Sequence, residues 1–168
     1  DGLFAALQHH VHYNNNGYPQ KPGGWDLRLI SRITTVADYY DAMTTPRIYQ
    51  DPCTPDKTLL FILQKSGEIF DPFIAKVFIQ AMGIYPIGTV VELDTGEKAA
   101  VVRQNDNRRF IHRPFVALLG TSGGAEDLID LTDRKHDGRG YRRTVVRAFY
   151  DKTAEIAKNQ LFLTDPSD

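Results

Sequence analysis

The sequence predicts a mainly α-helical protein in which a helical core is followed by a small antiparallel β appendage and a C-terminal helix. Three changes of pattern predict this class. Apolar residues recur at steps of three and four as far as Met82, alternate with polar residues from Gly88, and return to helical steps after Tyr141. These changes divide the 168 residues into a core over 1–83, an appendage over 84–131, and a linker with a helix over 132–168.

Four helices are predicted in the core, because each apolar stripe begins or ends at residues that interrupt helices. The first stripe ends at the polar segment YNNNGYP, whose asparagines, glycine and proline disfavour helix propagation. The third and fourth have proline in the first turn, a position that proline favours. The predicted helices are Leu3–His12, Leu27–Met43, Thr54–Lys65 and Asp71–Met82.

The appendage is predicted as a β-hairpin with two further strands. Gly88–Gln104 holds two apolar stretches around the turn sequence Asp94–Glu97, which is a typical hairpin pattern. Phe115–Leu119 follows as a third strand, and Asp127–Leu131 as a short fourth.

The C-terminal segment is predicted as a linker followed by a helix. Lys135–Gly140 is polar and contains two glycines, as is typical of linkers. Val145, Ala148 and Phe149 then follow helical spacing, which predicts a helix over Tyr141–Phe162.

Composition and charge argue against several classes of protein. The chain has 20 Lys and Arg against 21 Asp and Glu, a net charge of −1, whereas nucleic-acid-binding proteins usually carry a basic excess. We therefore expect no DNA or RNA partner. The longest apolar run, Thr58–Leu63, is far too short to cross a membrane, so we expect no membrane partner either. The single Cys53 excludes an internal disulfide and a cysteine-based zinc site, which favours a cytoplasmic location.

Two histidines and two aspartates are candidate metal ligands. His9 and His10 are adjacent near a helix end, where each can bind a different ion of a cluster, or can instead lie in solvent or cap the last carbonyls. On a helix their side chains would diverge by about 100°, which disfavours chelation of one ion by both. Asp38 and Asp41 are three residues apart and share a helical face, as in metal-binding or acid–base pairs, although such pairs more often mark an exposed face. Asp38 lies among apolar residues, where a carboxylate needs a cation or a hydrogen-bond partner.

Two further residues are candidates for contact with a phosphate or a base. Arg47 lies in a turn after the second helix, where it can clamp a phosphate or form a surface salt bridge. Tyr18, in the turn Gly17–Pro19, can pack against the chain or stack on a base. His112 and His136 have no partner at ligand spacing and are predicted to be surface residues.

Three blocks of sequence, in this order, resemble the C-terminal half of an HD-GYP domain, a family of bacterial cyclic di-GMP phosphodiesterases in the HD superfamily. They are HHVHYNNNGYP at His9–Pro19, ISRITTVADYYDAMTTPRIY at Ile30–Tyr49, and SGEIFDPFIAKVFIQAMGIYPIGTVVELDTGEKAAVV at Ser66–Val102. The resemblance covers about Leu3–Leu131. It implies a helical HD-domain-like core that ends in a small β appendage.

The resemblance also implies a function and a site. The function is signalling through metal-dependent hydrolysis of cyclic di-GMP, with divalent iron, manganese or similar ions as cofactors and a cyclic dinucleotide as partner. His9, His10 and Asp38 match metal ligands of the family, whereas no residue of this chain matches a catalytic one. Tyr18 matches the GYP motif that shapes the substrate pocket, and Arg47 matches an arginine that contacts substrate phosphate. A homodimer and an upstream sensory domain are further partners that such a domain can have.

The sequence departs from the family pattern at several positions. Val11 stands in place of a glutamate, Asn14–Asn15 in place of Asp-Gly, and Gln50 in place of a basic residue. No His-Asp pair precedes His9, where the resemblance places the HD motif. Two hypotheses follow: the chain is the C-terminal part of a phosphodiesterase, or it is a degenerate, non-catalytic module that has lost its metals and binds a nucleotide or a protein. Under both, we expect His9, His10 and Asp38 to converge and the chain alone to be inactive.

Overall fold

The computed structural model describes residues 2–47, 51–119 and 128–149 and divides into two compact units, residues 1–81 and 82–168. The helices are α1 Gly2–Gln8, α2 Leu29–Thr44, α3 Pro55–Gln64 and α4 Pro72–Met82. All four helices predicted from the sequence are therefore present. Within the described ranges, none of them has both the length and the apolar character that a membrane span requires.

The core of the first unit is built from α2, α3, α4 and the loop before α4. Its buried members are Val36, Ile62, Ile69, Phe70 and Ala75. The rings of Tyr39 and Phe61 meet Phe70 edge-on, with centroids 5.2 and 6.3 Å away. This packing fixes α2, which carries one of the candidate ligands.

A buried carboxylate begins α4 and joins it to α2. Asp71 accepts hydrogen bonds from the backbone N–H groups of Phe73 and Ile74 at 2.8 and 3.2 Å, and from Arg32 of α2 at 2.5 Å. Burial by itself raises the pKa of Asp71, but these hydrogen bonds outweigh burial and hold the pKa below its usual value. The ionised pair therefore caps one helix and anchors the other.

The first helix is shorter than predicted and ends at Gln8 instead of His12. Val11 forms a β-bridge with Gly17, which turns the chain back on itself, and the Val11 N–H bonds to the Gln8 carbonyl in a tighter turn. His9 and His10 consequently lie in the turn after α1. The divergence expected for neighbouring helical residues does not apply, and their ring centroids are 4.0 Å apart.

The second unit contains a five-stranded antiparallel sheet in the order β4-β3-β2-β1-β5. The strands are β1 Val90–Leu93, β2 Lys98–Arg103, β3 Phe115–Leu118, β4 Leu128–Asp130 and β5 Val145–Phe149, with a 3₁₀ turn at Arg108–Phe110. Strands β1 and β2 form the predicted hairpin, with Val91 opposite Ala99. The sheet's core consists of Val91, Leu93, Ala99, Val101, Val116, Leu131 and Ala148.

The prediction of a helix from Tyr141 is wrong over the described residues, because Val145–Phe149 is strand β5. It pairs with β1, where Ala148 lies opposite Val91 and Val145 opposite Leu93. Adjacent β-branched valines suit a pleated strand better than a helix, and β1 offers them a free edge. Residues 150–162 of the predicted helix lie outside the described residues. Four helices and five strands make the described fold mixed α/β, not mainly α.

The stretch predicted as a linker before β5 is an exposed hairpin held at its base by an arginine. Arg134 and Tyr141 form a β-bridge across the hairpin. Arg113 is buried and donates hydrogen bonds to the carbonyls of Leu131 and Arg143 at 2.9 and 3.3 Å. Its guanidinium carbon lies 3.3 Å from the ring centroid of Tyr141, so a cation–π contact supplements these bonds.

Candidate metal centre

Three side chains from two neighbouring elements converge in the first unit. His9 and His10 come from the turn after α1, and Asp38 comes from α2. One ring nitrogen of each histidine and one carboxylate oxygen of Asp38 all lie within 4.8 Å of one another. The expected convergence of these three residues is therefore confirmed, and within the described ranges the group has three members.

A backbone hydrogen bond orients the His9 ring. Nδ1 lies 2.9 Å from the carbonyl oxygen of Ala5, one turn earlier in α1. A carbonyl can only accept, so Nδ1 carries a proton, and in the neutral imidazole the lone pair is on Nε2. Metal-ligating histidines typically show this arrangement, since the outer hydrogen bond fixes both the tautomer and the ring orientation.

Buried polar residues hold the two elements of the centre together. Thr35 of α2 lies one turn before Asp38, and its hydroxyl donates to the His9 carbonyl at 2.9 Å. Gln8 is buried between α1 and α2, and its side-chain oxygen accepts from the Ser31 hydroxyl at 2.8 Å. These bonds fix the His9 backbone on the face of α2 that carries Asp38.

The Gly17–Pro19 turn folds back over His10 and requires glycine. The φ angle of Gly17 is +87°, and a Cβ there would lie 2.2 Å from the carbonyl oxygen of His10. This close approach lets the Tyr18 N–H donate to the same carbonyl at 3.2 Å. The Tyr18 ring then stacks on the His10 ring at a centroid distance of 4.6 Å, with 61% of the tyrosine exposed.

The only tryptophan closes the loop that follows this turn. The Trp25 backbone N–H donates to Oδ1 of Asn15 at 2.5 Å, and its indole N–H donates to the Pro19 carbonyl at 2.7 Å. The segment from Asn15 to Trp25 therefore forms a closed loop beside the centre.

His12 and Tyr39 lie beside the three converging residues. The His12 Nε2 and the Tyr39 hydroxyl oxygen are 3.4 Å apart. Burial raises the pKa of the Tyr39 phenol, and the neighbouring Asp38 carboxylate and Tyr18 phenol raise it further.

The sequence profile of the HD domain family matches residues 3–74, the segment that contains all of these residues. Residues 3–74 therefore resemble an HD domain. The chain is 32% identical over 101 residues to a cyclic di-GMP phosphodiesterase of Pseudomonas aeruginosa, an alignment that covers 60% of this chain and 24% of that protein. It is 38% identical over 71 residues to a cyclic di-GMP phosphodiesterase response regulator of Xanthomonas campestris, covering 42% and 19%. A 3'3'-cGAMP-specific phosphodiesterase of Vibrio cholerae is 31% identical over 75 residues, covering 45% and 14%.

These comparisons establish relatedness to cyclic di-GMP phosphodiesterases of the HD family. The chain spans about a quarter or less of the length of these three relatives. The matched part holds the three converging side chains, and HD domains as a superfamily are metal-dependent.

The donor set fits a divalent transition metal. Imidazole nitrogen suits iron, zinc, nickel and copper, and a carboxylate adds charge and suits manganese as well. With Nδ1 of His9 bonded to the Ala5 carbonyl, its Nε2 would face an ion, and such an ion would give Asp38 the opposite charge that a carboxylate among apolar neighbours requires. His9, His10 and Asp38 are the residues that would hold the ion.

The remaining charged and histidine candidates are not members of this group. Arg47 is exposed, and within the described ranges it makes no hydrogen bond or ion pair with the centre. Asp41 accepts a hydrogen bond from Thr45 at the end of α2, so it serves the helix terminus. His112 is exposed. The chain does contain one His-Asp dipeptide, His136–Asp137, but it lies in the exposed hairpin of the second unit.

The structure also describes most of the positions at which the sequence departs from the family pattern. Val11 is 2% exposed, so an apolar side chain fills the position expected to carry glutamate. Asn14 accepts a hydrogen bond from the Asn16 N–H, and Asn15 has a φ of 65°, a conformation that asparagine tolerates. Gln50 lies outside the described residues. The asparagines therefore support the turn where the family has Asp-Gly.

Sequence reasoning missed the residues that support the centre. Thr35, His12 and Tyr39 were not candidates, although Thr35 lies three positions before Asp38 and His12 three positions after His9. A sequence feature that could have indicated a supporting residue was Thr35, a polar residue three positions before Asp38 on the same helical face.

Proposed function

We propose that this chain is the C-terminal part of a metal-dependent cyclic dinucleotide phosphodiesterase domain that acts in signalling. The observation that carries the proposal is the convergence of His9, His10 and Asp38 within 4.8 Å, inside the segment that matches the HD domain. The names of the relatives support the substrate class, since they specify cyclic di-GMP and 3'3'-cGAMP.

In this proposal the chain's own residues bind the metal and position the nucleotide. His9 and His10 offer ring nitrogens and Asp38 offers a carboxylate oxygen. When bound, a divalent ion supplies positive charge that offsets the charge developing on a phosphoryl group during hydrolysis. Tyr18 is exposed and already stacked on His10, so its free face is suited to a nucleobase. Arg47 would contact a phosphate through its guanidinium.

Three ligands are too few for hydrolysis. A two-metal site needs enough ligands to fix both ions about 3.5–4 Å apart, and the described centre has three. We expect the 168-residue chain to bind a metal ion and a cyclic dinucleotide without turnover. Linear dinucleotide, followed by chromatography after incubation with Mn²⁺ and cyclic di-GMP, should stay at the level of a protein-free sample. Turnover that rises with Mn²⁺ and is lost in Asp38→Ala would contradict this expectation.

A metal titration tests the site directly. Asp38→Asn removes the ligand charge at nearly constant volume and should weaken Mn²⁺ or Ni²⁺ binding, measured by calorimetry, by at least about 10-fold. Asp41→Asn is the matched control, because it makes the same change on the same helix at a residue that serves the helix end. Equal metal affinities for wild type and Asp38→Asn would show that Asp38 is not a metal ligand.

The second hypothesis, a non-catalytic module, is favoured by the buried Val11 at the expected glutamate position. The two functions differ in one outcome. A module without metals binds cyclic di-GMP equally well with and without chelator, whereas the proposed site binds it more tightly with Mn²⁺.

A further inference from the structure

One contact near the metal centre links the Gly17–Pro19 turn region to α2 without using any of the candidate ligands. The His12 Nε2 lies 3.4 Å from the hydroxyl oxygen of Tyr39, and both side chains are half-buried. Tyr39 directly follows Asp38 in α2. The pair therefore spans the same two elements that supply the ligands.

His12 is held beneath the turn by its backbone and by the absence of a side chain on Gly17. Its N–H donates to the Asn16 carbonyl at 2.8 Å, and its carbonyl accepts from the Asn15 N–H at 2.9 Å. A Cβ on Gly17 would lie 3.2 Å from Cδ2 of the His12 ring. The imidazole consequently packs between Gly17 and Tyr39.

Tyr39 is fixed from its other side by the core of the first unit. Its ring meets Phe70 edge-on at 5.2 Å between centroids, and Phe70 is 1% exposed. Because close-packed cores resist displacement, the hydroxyl of Tyr39 is a fixed point on α2.

The other hydrogen bonds of the turn hold its shape. Tyr18 donates to His10, and Trp25 donates to Pro19, at 3.2 and 2.7 Å. Both bonds lie within residues 10–25, so neither sets the distance from the turn to α2. The contact between His12 and Tyr39 joins this segment directly to α2, beyond the Thr35 bond that holds the His9 backbone.

We propose that His12 and Tyr39 are positioning residues of the nucleotide pocket: their contact fixes the Gly17–Pro19 turn against α2 and thereby holds Tyr18 beside the metal centre. This proposal rests on the proposed function, because it assigns Tyr18 to the nucleotide. It predicts that the pair changes nucleotide binding while leaving metal binding intact.

The test uses the 168-residue chain and removes one hydroxyl. Tyr39→Phe keeps the ring that packs on Phe70. Tyr40→Phe makes the same change on the next residue, where the ring meets Phe78 edge-on at 5.3 Å, and serves as the matched control. His12→Phe removes the ring nitrogens and keeps an aromatic ring, and the double variant completes a mutant cycle.

We expect Tyr39→Phe to weaken cyclic di-GMP binding by about 2- to 10-fold, the range given by the net contribution of one hydrogen bond. Mn²⁺ affinity should stay within about twofold of wild type. Amide exchange at Tyr18 should accelerate and the emission of Trp25 should shift. His12→Phe should have a similar effect, and the double variant should add little to either single change.

Two outcomes would overturn the proposal. One is that Tyr39→Phe equals Tyr40→Phe in both nucleotide affinity and Tyr18 exchange. The other is that Mn²⁺ affinity falls together with nucleotide affinity, which would place the pair in the metal centre. Absence of nucleotide binding in wild type would refute the proposed function, and Tyr18 exchange and Trp25 emission would still decide whether the pair positions the turn.

Discussion

Replacing Gly17 by alanine should destabilise the first unit more than an ordinary glycine substitution does. A positive φ, here +87°, costs an L residue about 1–2 kcal/mol. The new Cβ would also lie 2.2 Å from the His10 carbonyl oxygen, a backbone atom that already accepts the Tyr18 N–H. Relieving this overlap should cost a further 1–3 kcal/mol, roughly, as other overpacked sites do. We expect the free energy of unfolding to fall by about 2–5 kcal/mol in total.

Gly67→Ala separates the two contributions. Gly67 has a φ of +86° and nothing within 4 Å of an added Cβ, so only the backbone cost of about 1–2 kcal/mol applies. Urea unfolding followed by fluorescence of Trp25, the single tryptophan of the chain, reports on this unit. If the two variants lose the same stability within about 0.5 kcal/mol, the close approach of the turn to His10 contributes nothing and the reasoning is wrong. Gly17→Ala should also weaken Mn²⁺ binding, because His10 moves with its carbonyl.

Two further expectations concern the second unit. Arg113→Lys should lower the free energy of unfolding by about 2–4 kcal/mol, because lysine cannot reach both carbonyls and leaves buried acceptors unpaired. Urea unfolding followed by circular dichroism measures this loss. Arg109→Lys is the matched control, and it should change little because Arg109 is exposed. Hydrogen bonds from Arg143, and then from Thr95, lower the pKa of Glu97 from 4.5 to about 2 despite some burial. The folded pKa is depressed, so this contribution to stability is present above pH 4.5 and is lost as pH falls toward 2. Thermal unfolding across that range should show a shallower pH dependence in Arg143→Met, and an unchanged slope would contradict the role of the pair.

Local signals were sufficient for the helices and the first hairpin. Prolines in the first turn and the polar segment after α1 mark helix ends through backbone chemistry, and Asp94–Glu97 marks a turn in the same way. Strand β5 was missed because its state depends on an edge of β1 that lies far away in sequence. The register pairs Glu92 with Arg147, 55 residues apart, and no window of local spacing contains both.

For the candidate metal centre, too, one part could be predicted from the sequence and another part could not. Spacing alone left His9, His10 and Asp38 undecided between ligands and surface groups, and the order of the sequence blocks selected them. The supporting contacts could not be predicted, because Thr35 reaches His9 and His12 reaches Tyr39 only after α1 and α2 pack together.

The pairing of β1 with β5 also governs the order in which the second unit can assemble. Strand β1 has β2 on one side and β5 on the other, so its second edge stays unpaired until the chain has been synthesised through Phe149. Pairings this distant in sequence form slowly, and an apolar strand with a free edge recruits other chains in the meantime. Proteins truncated before Val145 should therefore associate through β1 during expression, whereas chains that include β5 protect that edge themselves.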